Sequence, residues 1–279
     1  MGKVIVITGS SDGVGAAAAR SLAQAGHQIV LVGRSPEKTS RIAAELSADA
    51  HIADFADLGA VRTLAAALLA RYPRIDVLAN NAGGVSAAKV RQVTVDGHER
   101  TFQVNYLAPF LLTNLLLDRL IESKASVIST SSVGHRMGRI DLGDLGDLDS
   151  ENHYRGVNAY NNAKLAQVLF TGELDRRYRS RGLASAAFNP GIIASNFAQQ
   201  PGDTNGWIAQ SPIVRRLIGA SPETGADTLV YLAQGTAGTD FTSGGYFVKR
   251  KAARANKQAY DTQLGARLWD RSVSMITQP

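Results

Sequence analysis

The chain has 279 residues, with 30 lysines and arginines against 24 acids, a formal net charge of +6 and 44% hydrophobic residues. That length and apolar content suit one packed α/β domain and exclude a disordered chain. There is no cysteine, so disulfides, thiolate metal sites and cysteine nucleophiles are ruled out.

Met1-Gly2-Lys3 leads straight into Val4-Ile5-Val6-Ile7, with no apolar signal region and no run long enough to span a bilayer. A cytoplasmic protein without a membrane span is expected. Further apolar runs lie at Ile29 to Val32, Ile75 to Ala79, Val127 to Ile128 and Leu183 to Phe188, separated by stretches with helical spacing. Short buried strands alternating with amphipathic helices predict a parallel sheet covered on both faces, an α/β doubly wound fold.

The spacing predicts a helix over Val14 to Ala25 that stops at Gly26. A leucine-rich helix is predicted over Leu107 to Leu120, with Pro109 in its first turn or at a kink. Ser221-Pro222-Glu223 reads as a helix start: a capping hydroxyl, a proline at the first helical position and an acid in the first turn. No repeat or linker divides the chain, so residues 1–279 are expected to form a single domain. Two segments break the alternation, 135–158 and 194–220, and long irregular segments in compact domains are usually functional loops or lids. The basic residues Arg176, Arg177, Arg179, Arg181, Lys249, Arg250, Lys251, Arg254 and Lys257 are not interleaved with aromatic stacking partners as single-strand binders need. They are read as a solvated face, and nucleic acid is not expected as a partner.

The first strand runs into Thr8-Gly9-Ser10-Ser11-Asp12-Gly13-Val14-Gly15 and then into a helix. A strand, glycine turn and helix aim backbone N–H groups and a positive dipole end at a pyrophosphate. Gly9 permits the tight turn, Gly13 lets backbone approach the phosphates, and Gly15 allows close packing of helix on strand. Ser11, Asp12 and Val14 lie in the same turn. The second strand ends Leu31-Val32-Gly33-Arg34-Ser35. An acid there would bind a ribose 2′-hydroxyl and an arginine a 2′-phosphate, so Arg34 points to NADP(H). Tyr160-Asn161-Asn162-Ala163-Lys164 places a phenol and an ammonium on one helical face. On its own this fits surface decoration or a tuned proton donor equally.

These stretches, with Asp54 in ADF, Asn80-Asn81-Ala82-Gly83, Asn105 in FQVN, Ser132 in STSS, and Pro190-Gly191, in that order and over nearly the whole chain, resemble the short-chain dehydrogenase/reductase family. VGRS, SSVGH, AYNNAKLAQVLFTGEL, SPETGA, SGGYF and LWDRS look most like its retinol-dehydrogenase-like branch. The resemblance implies a single Rossmann domain that interconverts a carbonyl and an alcohol with NADP(H). It implies that Asp54, with Phe55 beside it, holds the adenine edge, and that Asn80, Asn81, Ala82 and Gly83 pass under the adenosine ribose. Asn105 would bend its helix and anchor a water linking Lys164 to solvent. Pro190, Gly191 and Ile193 would lie by the nicotinamide, and Ser195 would contact its amide.

The resemblance makes Tyr160 the proton donor. A free tyrosine has a pKa of about 10, which a neighbouring ammonium and the oxidised nicotinamide are expected to lower. Lys164 would also bond the nicotinamide ribose, and Ser132 would stabilise developing charge on the substrate oxygen. Ser129, Thr130 and Ser131 are rivals that only the family pattern sets aside. The 28 residues from Ser132 to Tyr160 (160 − 132) imply that a loop including Arg136 to Asn152 is extruded. His135 is expected to be structural, His153 and Tyr154 have no assignable role, and the five histidines lack metal-ligand spacing. Phe197, Trp207, Ile208, Ile213, Leu217 and Ile218 fall where a substrate lid is expected, which suggests a hydrophobic small-molecule substrate. Alternatives are a nucleotide-binding sensor or scaffold without turnover, or a nucleotide-sugar epimerase or dehydratase, whose turn would read G-x-x-G-x-x-G. A homo-oligomer is possible.

Overall fold

The structure, a computed structural model, describes residues 2–85, 90–143, 154–191 and 221–277. Its strands are β1 (Val4–Thr8), β2 (Gln28–Gly33), β3 (Asp49–Ile52), β4 (Val77–Asn80), β5 (Ser126–Thr130), β6 (Ala184–Asn189), β7 (Gly245–Val248) and β8 (Lys251–Ala252). They form one sheet in the order β3-β2-β1-β4-β5-β6-β7-β8. All neighbours are parallel except β7 and β8.

Both faces of the sheet are covered. Val6, Val30, Val32, Leu78 and Val127 pack into one layer with α3 (Leu58–Arg71), α5 (Ala108–Leu115), α7 (Gly156–Tyr178) and α9 (Thr262–Thr277). Ile5, Ile7, Ile29, Leu31 and Ile128 point the other way, into a layer with α1 (Gly13–Gln24), Ile42 of α2 (Pro36–Leu46) and α8 (Pro222–Gln234). Successive strand residues alternate between faces, and an apolar layer on each side accounts for the consecutive apolar residues at the centres of these strands.

The predicted helix starts are largely observed. Asp12 caps α1, and Ser221 caps α8 by accepting from Thr224 N, with Pro222 at the first helical position. The leucine-rich stretch is more broken than predicted. A short α4 (Arg100–Phe102) passes through a π-helical turn, Gln103–Leu107, into α5, which carries Pro109 in its first turn, and then into α6 (Leu117–Glu122). Many of the basic residues are paired. Arg176 and Arg177 bind the buried Glu173, Arg179 binds Asp175, and Arg250 binds Asp227.

Strand order reverses between β1 and β4, and the crevice at that switch point, outside the carboxyl ends of the strands, is where open α/β sheets bind ligands. Among the described residues no helix is long and apolar enough to cross a membrane. None of them form a group of three or more metal-ligating side chains.

Candidate active site

A cleft of about 760 Å³ opens at that switch point, running from Gly9 and Arg34 past Asp54 and Asn81 to Ser132, Tyr160 and Gly191. Its phosphate end is built from close backbone approaches. Gly9 has φ +65°, and a Cβ there would lie 2.7 Å from Ala82 Cα. A Cβ on Gly15 would lie 2.3 Å from Gly9 O and 2.6 Å from Asn81 Nδ2. Only glycine fits either place, and the turn leads directly into the N-terminus of α1. Asp12 Oδ1 accepts from Gly13 N at 2.8 Å, and its other oxygen lies 3.4 Å from Lys38 Nζ. Ser11 and Val14 line the same end.

Asn81 braces this turn. Its Nδ2 donates to Thr8 O at 3.0 Å, its backbone N donates to Thr8 Oγ1 at 3.0 Å, and its Oδ1 accepts from Thr130 Oγ1 at 3.2 Å. The side chain thus joins the ends of β1, β4 and β5. Ala82 and Gly83 continue along the cleft floor. Asp54 faces the cleft while its Oδ1 accepts from Ala56 N at 2.9 Å. Phe55 is largely buried in the core beneath. Arg34 is exposed at the cleft edge beyond β2. Lys38, which the sequence analysis missed, lines the cleft beside it. The signal available was a second cation four residues on, in the first turn of a helix that begins just after Arg34.

The reacting end is held by β5 and α7. Ser132 follows β5, and its Oγ accepts from Gly134 N at 3.2 Å. The Tyr160 hydroxyl hydrogen-bonds the Ser132 side chain. Two of the three rivals are occupied: Ser131 Oγ donates to Lys164 O at 2.8 Å and Thr130 Oγ1 donates to Asn81. Ser129 Oγ is buried without a partner among the described residues, and Ser129 is not among the residues that line the cleft. Of the four, Ser132 is the hydroxyl beside Tyr160.

Lys164 is buried, with Nζ donating to Thr130 O at 3.0 Å and lying 5.5 Å from the Tyr160 ring centroid. Asn105 sits in the π turn. Its Nδ2 donates to Gly84 O and Thr101 O, its Oδ1 accepts from Gly84 N at 3.1 Å, and its carbonyl accepts from Gln167 Nε2 at 2.7 Å. A π turn releases carbonyls from the regular helical ladder, and Gln167 takes up this one. A Cβ on Gly83 would lie 2.4 Å from Asn105 Oδ1 and 3.1 Å from Lys164 Nζ, so a glycine here lets both side chains pack against the cleft floor. Pro190 and Gly191 line the cleft near Tyr160. Ile193 and Ser195, with the whole 194–220 segment, lie outside the described residues, as do residues 144–153 of the expected loop. Its end is visible, and Tyr154, which had no assignable role, donates to the buried Glu99 at 2.7 Å.

In the protein itself, burial acts against the expected lowering of the Tyr160 phenol. Burial pushes the Tyr160 phenol up to about 12, only partly offset by its bond to Ser132, and pushes the Lys164 ammonium down to about 7. Both groups lose water. A lysine that is only about half charged near neutrality is a weak source of field for lowering a phenol. Burial thus favours the protonated phenol at Tyr160.

Residues 3–143 match the family described as short chain dehydrogenase. A provisionally named daunorubicin C-13 ketoreductase of Streptomyces sp. strain C5 is 37% identical, over 99% of this chain and 93% of its own length. Human retinol dehydrogenase 13 is 35% identical, over 99% of this chain and 85% of its own. The chain belongs to the short-chain dehydrogenase/reductase family. Within it, the chain lies in the retinol-dehydrogenase-like branch. As a member of that family it is an oxidoreductase acting on CH–OH and C=O groups with a nicotinamide dinucleotide. The site fits that cofactor: the glycine turn is a cradle that a Cβ at Gly9 or Gly15 would fill. Among solved structures, a blue fluorescent protein from a metagenomic library, in complex with NADPH, superposes with a TM-score of 0.67. It is 27% identical, over 88% of this chain and 95% of that one.

Proposed function

We propose that this chain is an NADP(H)-dependent oxidoreductase that interconverts a carbonyl and an alcohol on a hydrophobic small molecule, with Tyr160 carrying the proton. The observation that carries this reading is the hydroxyl pair of Ser132 and Tyr160, joined to each other at the end of a cleft that begins at the glycine turn. When bound, the nicotinamide supplies or accepts the hydride. Tyr160, held protonated by burial, gives its proton to the substrate oxygen during reduction and takes one back during oxidation. Ser132 Oγ already accepts from Gly134 N, which leaves its O–H to donate to an oxygen as charge develops there. Lys164 and Asn105 both pack against Gly83 of the cleft floor, which keeps the Lys164 ammonium beside Tyr160.

Three further features support the finer assignments. Arg34 and Lys38 both line the cleft at the end of β2, where the adenosine ribose of a dinucleotide lies, and the residue that follows β2 is Arg34 rather than the acid that prefers a 2′-hydroxyl. The structural relative above was solved with NADPH. Val133, Met137 and Val157 line the cleft beside Tyr160 and are 47%, 72% and 45% exposed. Such an apolar rim around two polar anchors suits a hydrophobic substrate, in keeping with relatives named for retinol and for daunorubicin.

The test is titration with NADPH and with NADH by nicotinamide fluorescence, followed by aldehydes and ketones added to the complex, for the wild type and Tyr160→Phe. NADPH is expected to bind more tightly, some apolar carbonyl to oxidise it, and Tyr160→Phe to retain affinity while losing turnover. Failure to bind either nucleotide, or full turnover without the phenol, would overturn the proposal.

A further inference from the structure

His135 is fully buried beside the reacting end, and the mechanism above gives it no task. It lies in the 3₁₀ turn Val133–Arg136, for which Ser132 is the cap. Its Nδ1 is 2.5 Å from the Ser132 carbonyl, which also accepts from the His135 backbone N at 3.1 Å. A carbonyl can only accept, so Nδ1 carries the proton. The neutral ring then presents an unprotonated Nε2, which is buried and without a hydrogen-bond partner among the described residues.

The ring has a fixed seat. It packs on Tyr246 of β7 with centroids 4.6 Å apart. Asn256 Nδ2 clasps the turn from outside by donating to the carbonyls of His135, Arg136 and Gly138. Burial holds the imidazole below its usual pKa, so the neutral form persists at working pH. An imidazole that leaves one nitrogen unpaired is a poor choice for packing alone, because an orphaned buried acceptor costs about 1–3 kcal/mol. Its one side-chain bond in good geometry goes to the residue whose hydroxyl meets Tyr160.

We infer that His135 is a positioning residue for Ser132: its Nδ1–H, bonded to the Ser132 carbonyl, fixes the Ser132 backbone so that Oγ stays on Tyr160. The inference rests on the role proposed for Ser132 and goes beyond it by naming what holds that hydroxyl in place. Asparagine at this position keeps a donor where Nδ1 stands, and leucine keeps bulk without one.

The experiment combines nitrogen NMR of the wild-type histidines with a kinetic cycle of His135→Leu and Ser132→Ala, and with His135→Asn as rescue. His135 is expected to titrate as the Nδ1–H tautomer. His135→Leu is expected to lower kcat about tenfold with NADPH affinity held within about twofold, while His135→Asn recovers most of the rate. In the Ser132→Ala background the leucine change should have no further effect on kcat, since a residue acting only through Ser132 loses its influence with it. An Nε2–H tautomer overturns the inference. So does an equal loss from His135→Leu in both backgrounds, or a loss that asparagine fails to rescue. If His135→Leu does not fold, the tautomer and the rate of His135→Asn decide. A Ser132→Ala enzyme with the wild-type rate would instead overturn the proposed role of Ser132.

Discussion

The Tyr154 hydroxyl donates to Glu99 Oε1 at 2.7 Å, tying the segment just before the Tyr160 helix to the start of the Asn105 helix. Glu99 also accepts from Thr101 N at 2.9 Å and Phe102 N at 2.6 Å, so one buried carboxylate caps α4 and anchors the chain leading into α7. Tyr154→Phe keeps the ring's packing and removes only the hydroxyl. It is expected to cost about 1 kcal/mol of stability with NADPH affinity unchanged, and an unaltered urea midpoint would show that the bond contributes nothing.

Gly134 is the second glycine on which the reacting geometry turns. A Cβ there would lie 2.4 Å from Asn161 Oδ1 and 3.3 Å from Tyr160 Cε1, so Gly134→Ala must turn the buried Asn161 side chain aside and press on the Tyr160 ring. A misplacement of about 1 Å can cost about a hundredfold in rate. Gly134→Ala is expected to lose at least about tenfold in kcat while the glycine turn, far along the cleft, binds NADPH as before. Steady-state rates and a nucleotide titration on one preparation check it, and a variant with wild-type kcat would count against the geometry.

What could be read ahead of the structure follows from locality. β1, β2, β4 and β6 announce themselves because they are buried on both faces and so are apolar at most positions, while β5 shows only its central Val127-Ile128 pair. β3 does not: Asp49–Ile52 is an edge strand with half its residues exposed. β8 hides in a basic stretch. Its hairpin turns through Lys249 and Arg250 at φ +49° and +62°, without the glycine or asparagine that usually marks such a turn, and Arg250 is held there by Asp227 and Thr228. The motif residues of the site were legible by type and order. The choice among Ser129, Thr130, Ser131 and Ser132 was not, because it depends on where each hydroxyl finds a partner. Tyr154 and His135 were silent for the same reason, since their partners Glu99 and Tyr246 lie 55 and 111 residues away.

Cofactor choice is expected to reside in Arg34 and Lys38 together. A phosphate between two cations gains charge-assisted bonds that a hydroxyl does not. Arg34→Ala with Lys38→Ala should weaken NADPH at least about tenfold and leave NADH within about twofold. Loss of the Lys38 contact to Asp12 adds little, because that pair is exposed at 48% and 52%. Equal weakening of both nucleotides would mean that neither cation reads the phosphate.

Lys164 also ties stability to pH. Burial lowers its pKa from 10.5 to about 7. Below about pH 7 both the native and unfolded chains hold the proton. Between about pH 7 and about 10 the unfolded chain holds it and the native chain does not, so unfolding takes up a proton and stability rises with pH across that window. Tyr160 acts in the opposite sense only at higher pH. Its native value is raised to about 12 from 10.0, so above about pH 10 the unfolded chain gives up a proton that the native chain keeps, and stability falls. Urea unfolding of the wild type and Lys164→Met at a series of values from about pH 6.5 to about 9.5 isolates the lysine. The wild type is expected to gain on the variant steadily as pH rises through that range, because methionine fills the site without ever binding a proton. A difference that stays flat would mean that Lys164 remains charged in the native protein, and would restore the expectation that its ammonium holds the Tyr160 phenol low.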